Sequence, residues 1–325
     1  MSPVRALPLA RSLLTAAALA VTFAAPAAAA PGPPITVTTA EFDQAFECSG
    51  PLTGLTRDPV LLTPAFSTAD ESYAWNYRRQ LPKAGITTCS LTMPEHGFGD
   101  MQRTAEYVVT AVRRMSAARG GGQVALMGHA LGGLSNLWAL RFWPDLPGLV
   151  SDDIALAAPF QGTSTAGGCK ASSPCPQSLW QIAQRSAFIS ALNRVAPPKG
   201  PGYTSIATAF DEVITPQPSA SRLPGAVNVS LQSICPLRPA EHFLILADNI
   251  AYLLVMDALN NPGPANPSRI NRLWCFGPLY LPGTKIESIP TTLGYASSTF
   301  AGIDTYGKAA TVSAEPALRS YATAG

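Results

Sequence analysis

The stretch Val124-Ala-Leu-Met-Gly-His-Ala-Leu-Gly-Gly-Leu134 decides the fold. Its apolar start reads as a buried strand at 123–127, and the residues from Leu134 to the stop at Pro144 read as a helix. Between them lies Gly128-x-x-x-Gly132, with no room for a loop. Glycines at both ends let the backbone make a sharp, strained turn and pass close to neighbouring elements. The central side chain is then lifted above the sheet at the amino end of the helix, where free backbone N–H groups can stabilise a developing negative charge. Here the central residue is Ala130. A methyl group cannot attack anything, so the turn has the geometry of a reactive site without its reagent. The competing reading is a glycine-rich strand-to-helix turn of some other α/β fold.

Outward from this turn, short apolar strands alternate with amphipathic helices. Strands are expected at 60–63, 88–93, 123–127, 154–157, 204–207 and 227–231. A helix is expected at 73–81, ended by Pro82 and Gly85, and a long one starts at Asp100, with Met101, Tyr107, Val108, Val112 and Met115 on one stripe. Further helices are expected at 134–142, 178–195 and 246–259. This alternation implies a mostly parallel sheet with helices on both faces, an α/β fold whose sites lie at the carboxyl ends of the strands. From about residue 262 the chain is rich in Pro, Gly, Ser and Thr and reads as a loop-rich tail. No repeat and no second-domain boundary is visible, so 31–325 reads as one domain.

Composition narrows the setting. Of 325 residues, 47% are hydrophobic and only 13% charged, with 22 Lys plus Arg against 20 Asp plus Glu. Residues 1–30 carry Arg5 and Arg11, no acids, a short apolar run and an alanine string, the layout of a secretory signal peptide. Its apolar run is shorter than the roughly 20 residues that span a bilayer. Losing it removes both excess arginines and leaves a neutral chain with no global field for nucleic acid or an anionic membrane. The six cysteines, Cys48, Cys89, Cys169, Cys175, Cys235 and Cys275, read in an exported protein as three disulfides. Their spacing leaves fifteen connectivities open and does not resemble a zinc site.

A strand, a G-x-x-x-G turn and a helix in immediate succession are the context of the nucleophile elbow of α/β hydrolases, G-x-S-x-G. That fold orders its triad as nucleophile, acid, histidine along the chain. Of the three histidines, His96 precedes the turn, His129 lies within it, and His242 alone follows. His242 is therefore the candidate general base. The aspartates between it and the turn are Asp145, Asp152, Asp153 and Asp211. Asp211 leaves the carboxyl end of a strand, where an acid can orient an imidazole, and Glu212 beside it is the second choice.

From about residue 46 to residue 275 the sequence resembles the lipase family typified by Candida antarctica lipase B. Val60-Leu-Leu-Thr-Pro64 is similar to that family's first core strand and oxyanion loop. Thr104-Ala-Glu-Tyr-Val108 and the segment 134–144, with Trp138 and Phe142-Trp-Pro144, match its next helices. Ser178-Leu-Trp-Gln181 opens a similar helix, and Asp211-Glu-Val-Ile-Thr-Pro-Gln217 is similar to its acid loop. The resemblance implies a secreted α/β-hydrolase fold acting on carboxylic esters with no cofactor and no metal. It implies the pairs Cys48–Cys89, Cys169–Cys175 and Cys235–Cys275, and backbone oxyanion donors at Phe66 and Leu131. Two positions depart from the family. Ala130 stands where it has the nucleophilic serine, and Phe66 stands where it has a hydroxyl side chain that assists the oxyanion.

The expectation is thus a lipase- or esterase-like hydrolase that is nearly inactive because its nucleophile is missing. The alternatives are a pseudo-hydrolase that holds a lipid or ester without turnover, and an exported structural protein. Ser67 and Ser135 are the substitute nucleophiles considered. Its partners would be a small ester or lipid and at most a transient lipid interface, with no nucleic acid, for a secreted monomer. Phe66, Phe160, Phe243 and Leu246 favour an apolar substrate group, and 161–176 is expected to border the entrance.

Overall fold

The computed structural model describes residues 1, 31–66, 72–284, 294, 297–299 and 301–323. The leader expected at 1–30 lies, beyond Met1, outside the described residues, as does Ser67. Helix α1, Thr39–Ala45, is capped by Thr38 and runs into β1, Phe46–Cys48. There follow β2 (Val60–Thr63), α2 (Tyr77–Lys83), β3 (Thr88–Leu91), α3 (Met101–Ala118), β4 (Val124–His129), α4 (Leu131–Phe142) and β5 (Val150–Leu156). Next come β6 (Cys175–Pro176), α5 (Gln177–Gln181), α6 (Ala187–Leu192), β7 (Gly202–Ala207), β8 (Val227–Ser230), α7 (Leu231–Ile234) and α8 (Asn249–Asn260). The tail adds β9 (Thr311–Val312) and α9 (Ser320–Thr323).

Seven strands form one sheet in the order β1-β3-β2-β4-β5-β7-β8, parallel except for β1 at the edge. This is the α/β-hydrolase fold, with β4 central. Period-2 alternation divides the core. Leu61 and Leu126 join the cluster under α3 and α4, while Val60, Leu62, Ala125 and Met127 join the one under α2 and α8. Helix α3 buries the expected stripe, Met101, Val108, Val112 and Met115 all being at most 1% exposed. Each such side chain contributes about 1.5–3 kcal/mol.

Two expectations are corrected, and one strand is added. The helix expected over 178–195 is two short helices, α5 and α6, broken where Arg185 adopts a φ of +64° and Ser186 caps the second by accepting from the Ile189 N–H. Pro82 does not stop α2; it sits in its last turn. Strand β1 was not expected, because Phe-Glu-Cys is too short to show a period.

Among its described residues the tail has little regular structure, yet several of them are anchored to the rest of the fold. β9 pairs with β6, Glu315 accepts from the Ala187 and Phe188 N–H groups at the start of α6, and Arg319 pairs with the buried Glu106. Among the described residues no helix is long and apolar enough to cross a membrane. Disulfides join Cys48 to Cys89, Cys169 to Cys175 and Cys235 to Cys275.

One core group carries a pH signature. Asp153, on β5, is 2% exposed; the Asn136 side chain donates to its Oδ1 at 3.4 Å, while its Oδ2 has no partner among the described residues. Burial raises this carboxyl from 3.8 to about 7. Between those values the folded chain holds a proton that the unfolded chain has released, so stability falls as pH rises through the window and stays low above it. A shift of that size corresponds to about 4 kcal/mol for one group. Asp152 is also raised to about 7, mainly by burial. Asp153→Asn is therefore expected to remove roughly half of the combined loss of stability between pH 4 and 8, read from denaturant midpoints across that range. Parallel profiles for the two proteins would refute it.

Candidate active site

At the carboxyl end of β4 the chain turns directly into α4, and Ala130 is the hinge. Its φ is +47° and its ψ −116°, a conformation that costs a non-glycine residue about 1–3 kcal/mol. Its N–H donates to the Leu156 carbonyl at 2.9 Å, tying the turn to the end of β5. The flanking glycines are required by contact. A Cβ on Gly132 would overlap the Thr63 carbonyl oxygen, and one on Gly128 would overlap the Gly133 nitrogen. Leu131 is the first residue of α4, so its N–H belongs to the helix's free amino end. Ser135, one turn along, donates its hydroxyl to the Leu131 carbonyl at 3.1 Å and is 1% exposed, so it faces its own helix.

His242 lies between α7 and α8. Its Nδ1–H donates to Asp211 Oδ2 at 2.9 Å, with both residues at most 5% exposed. The other carboxylate oxygen of Asp211 accepts from the N–H groups of Val213 at 3.0 Å and Ile214 at 2.6 Å, which fixes the acid. With Nδ1 protonated and held, Nε2 is the basic nitrogen of the imidazole. Glu212 does not orient the ring; its Oε2 accepts from the His242 backbone N–H at 3.3 Å. Glu241 accepts from the N–H groups of Phe243 at 2.8 Å and Leu244 at 2.7 Å. Burial, with Glu212 adding to it, raises the Glu241 carboxyl against those two hydrogen bonds. The loop is pinned beneath by the buried ion pair of Arg238 and Asp248, and Thr208 donates to the Ala240 carbonyl at 2.6 Å.

The remaining sequence candidates sit elsewhere. Asp145 pairs with Arg113 at 2.8 Å, Asp152 and Asp153 are within the sheet, and His96 stacks on Tyr306. His129 points back under the base, its Nε2–H donating to the His242 carbonyl at 3.0 Å. Burial, reinforced by His242, holds its imidazole well below the usual histidine range, so it is neutral.

Ala130 and His242 share the wall of a cavity of about 360 Å³. Phe66 and Leu131 border it beside the turn, and Leu179, Ile182, Ile214 and Phe243 make it apolar. Gly97, with φ +86°, lets the chain pass against the Ala65 carbonyl, and Phe66 stacks on Phe98 with centroids 4.6 Å apart, which positions the 65–66 loop. Phe160 and Leu246, expected near the site, are in the two core clusters instead. The segment 163–175, with its short Cys169–Cys175 disulfide loop, does border the cavity. Thr299 and Ile303 also line it, from a tail that no local motif marked as part of a site. Among the described residues no three His, Cys, Asp or Glu side chains gather as a metal-ligand set.

An imidazole held by a carboxylate, an apolar cavity and a strained turn at a helix amino end thus lie together. No family model matches the chain. It is 28% identical to lipase B of Pseudozyma antarctica over 232 residues, 67% of this chain and 66% of that protein, just under two thirds of its length. The crystal structure of Aspergillus fumigatus lipase B superposes with a TM-score of 0.82 at 27% identity, covering 92% of this chain and 75% of that one. Mature Bacillus licheniformis lipase BlEst2 superposes at a TM-score of 0.54 and 15% identity over 66% of this chain and 97% of that one, a likeness of fold. The chain is a homologue of Pseudozyma antarctica lipase B and has an α/β-hydrolase scaffold.

The elbow makes a direct prediction. Gly132→Ala forces a methyl group into the end of β2 and is expected to cost about 3 kcal/mol or more, a fall in Tm of at least about 6 °C. An unchanged melting curve would show that the close approach is not required.

Proposed function

We propose that this chain is a secreted lipase- or esterase-like serine hydrolase scaffold, acting alone as a monomer without cofactor or metal, in which Ala130 has replaced the nucleophile. The observation that carries the reading is the buried His242–Asp211 pair at 2.9 Å, sharing one apolar cavity with the strained turn at Ala130. The three disulfides and the leader-like segment at 1–30 support export. The apolar walls support a small ester or lipid as substrate, met in solution or during transient contact with a lipid interface, and the neutral charge of the exported chain gives no basis for nucleic acid.

In the parent chemistry a serine hydroxyl at position 130 attacks the ester carbonyl while His242 Nε2 takes its proton. Asp211 keeps the imidazole in the productive tautomer and stabilises the cation that forms. The Leu131 and Phe66 N–H groups serve the oxyanion, and His242 returns the proton to the departing alcohol. Water then repeats the cycle on the acyl-enzyme. With a methyl group at 130 no acyl-enzyme forms. His242 can then only draw a proton from water, and turnover falls to a trace.

Ala130→Ser is expected to raise kcat for 4-nitrophenyl butyrate by about 10⁴-fold or more. In that variant, adding Asp211→Asn should lower kcat by about 10³ to 10⁴. Adding Glu212→Gln, which keeps an acceptor for the His242 N–H, should cost less than about tenfold. A silent Ala130→Ser protein would reject the hydrolase reading. The intact cavity around a missing nucleophile would then favour a pseudo-hydrolase that binds esters without turnover.

A further inference from the structure

The cavity wall carries a negative charge with no opposite beside it. Glu212 is the one acid among the described residues that line it, and they include no lysine or arginine. Three carboxylates serve the loop that holds His242, and they are not equally occupied. Both oxygens of Asp211 are taken, one by the imidazole and one by two backbone N–H groups. Both oxygens of Glu241 are taken by the Phe243 and Leu244 N–H groups. Glu212 uses only Oε2, on the His242 N–H at 3.3 Å, and among the described residues its Oε1 has no hydrogen-bond or ion-pair partner. Of the three, Glu212 alone is exposed and lines the cavity.

The bond to the His242 N–H fixes where this charge sits. It lies beside the backbone of the proposed general base, at the edge of a cavity whose walls are otherwise mostly apolar. Apolar walls exclude water, so the field of a charge at their edge is screened less than on an open surface. A neutral ester gains nothing from that field, an anionic one is repelled and a cationic one is drawn in. Phe66 and Phe243 line the same cavity, and the face of an aromatic ring attracts an alkylammonium group.

We infer that Glu212 is a specificity-determining residue, and that the cavity selects esters bearing an alkylammonium group, such as esters of amino alcohols, over neutral esters of the same shape. The inference rests on the proposal that this cavity holds an ester, and it names the substrate class that apolar walls alone leave open. Glu212 acts by its charge on the bound group, while the parent chemistry stays with His242 and Asp211.

Ala130 allows the test on the chain as it is, since an ester that is not turned over gives a true dissociation constant. Calorimetric titration would compare butyrylcholine with 3,3-dimethylbutyl butyrate, which puts carbon in place of the ammonium nitrogen and keeps the shape. At neutral pH and low salt the cationic ester is expected to bind about fivefold tighter or more. Raising the ionic strength should shrink that ratio, because salt screens a charge at the cavity edge. In Glu212→Gln, which keeps an oxygen for the His242 N–H and removes the charge, the ratio should fall to about one or below. In Glu212→Lys it should invert. If both esters bind too weakly to titrate and Ala130→Ser is active, the ratio of kcat/KM for the two esters in that variant decides in the same way. Equal affinity, or tighter binding of the neutral ester, would overturn the inference alone. So would a preference that survives in a folded Glu212→Gln protein. Failure of both esters to bind, together with an inactive Ala130→Ser protein, would overturn the ester reading and this inference with it.

Discussion

The whole site hangs on one close approach, between Gly132 at the start of α4 and the Thr63 carbonyl oxygen at the end of β2. No side chain fits there. Because the helix can sit that close, it begins at once after β4, and the connecting residue is driven to a φ of +47°. That places position 130 at the free N–H end of α4 with the 65–66 loop beside it. The strain at Ala130 and the overlap a methyl group would suffer at Gly132 are two aspects of one packing constraint. Alanine at position 130 is accommodated in that geometry with its methyl group at the cavity wall.

Around His242 the chain concentrates carboxylates. Asp211 holds the ring, Glu212 holds its backbone N–H, and Glu241 holds the next two N–H groups. The buried pair of Arg238 and Asp248 anchors the stretch from beneath. A loop residue acquires in this way the rigidity of a core residue, which the proposed role of general base calls for. His129 links the two halves directly, since it ends β4 at the elbow and donates to the His242 carbonyl.

Much of this was readable before folding, for local reasons. The alternation of apolar strands and striped helices implied a parallel sheet, and the glycine spacing implied the turn. Elimination along the chain singled out His242, because no other histidine follows the turn. Choosing Asp211 over Glu212 rested on position at a strand end, and the two neighbours do take different partners, one the ring and the other the backbone. Errors came where local signals were weak or ambiguous. The split between α5 and α6 is marked by Ser186, a capping residue that apolar periodicity overrode. Phe160 and Leu246 are apolar and near the site in sequence, and hydrophobicity does not distinguish a cavity wall from a core.

The amino-acid sequence by itself determined the layered α/β architecture, the elbow with a methyl group at its centre, and the order of Ala130, Asp211 and His242 along the chain. Each of these follows from backbone periodicity, glycine stereochemistry or residue chemistry, which act over a few residues or by order alone. Only the tertiary structure decided that Thr299 and Ile303 from the tail share a wall with Ala130, and that, among the described residues, Nδ1 of His129 is the nitrogen left without a partner. Those facts depend on which atoms meet across more than a hundred residues of chain. Such meetings are set by packing and the satisfaction of buried polar groups, and they leave no local pattern to read.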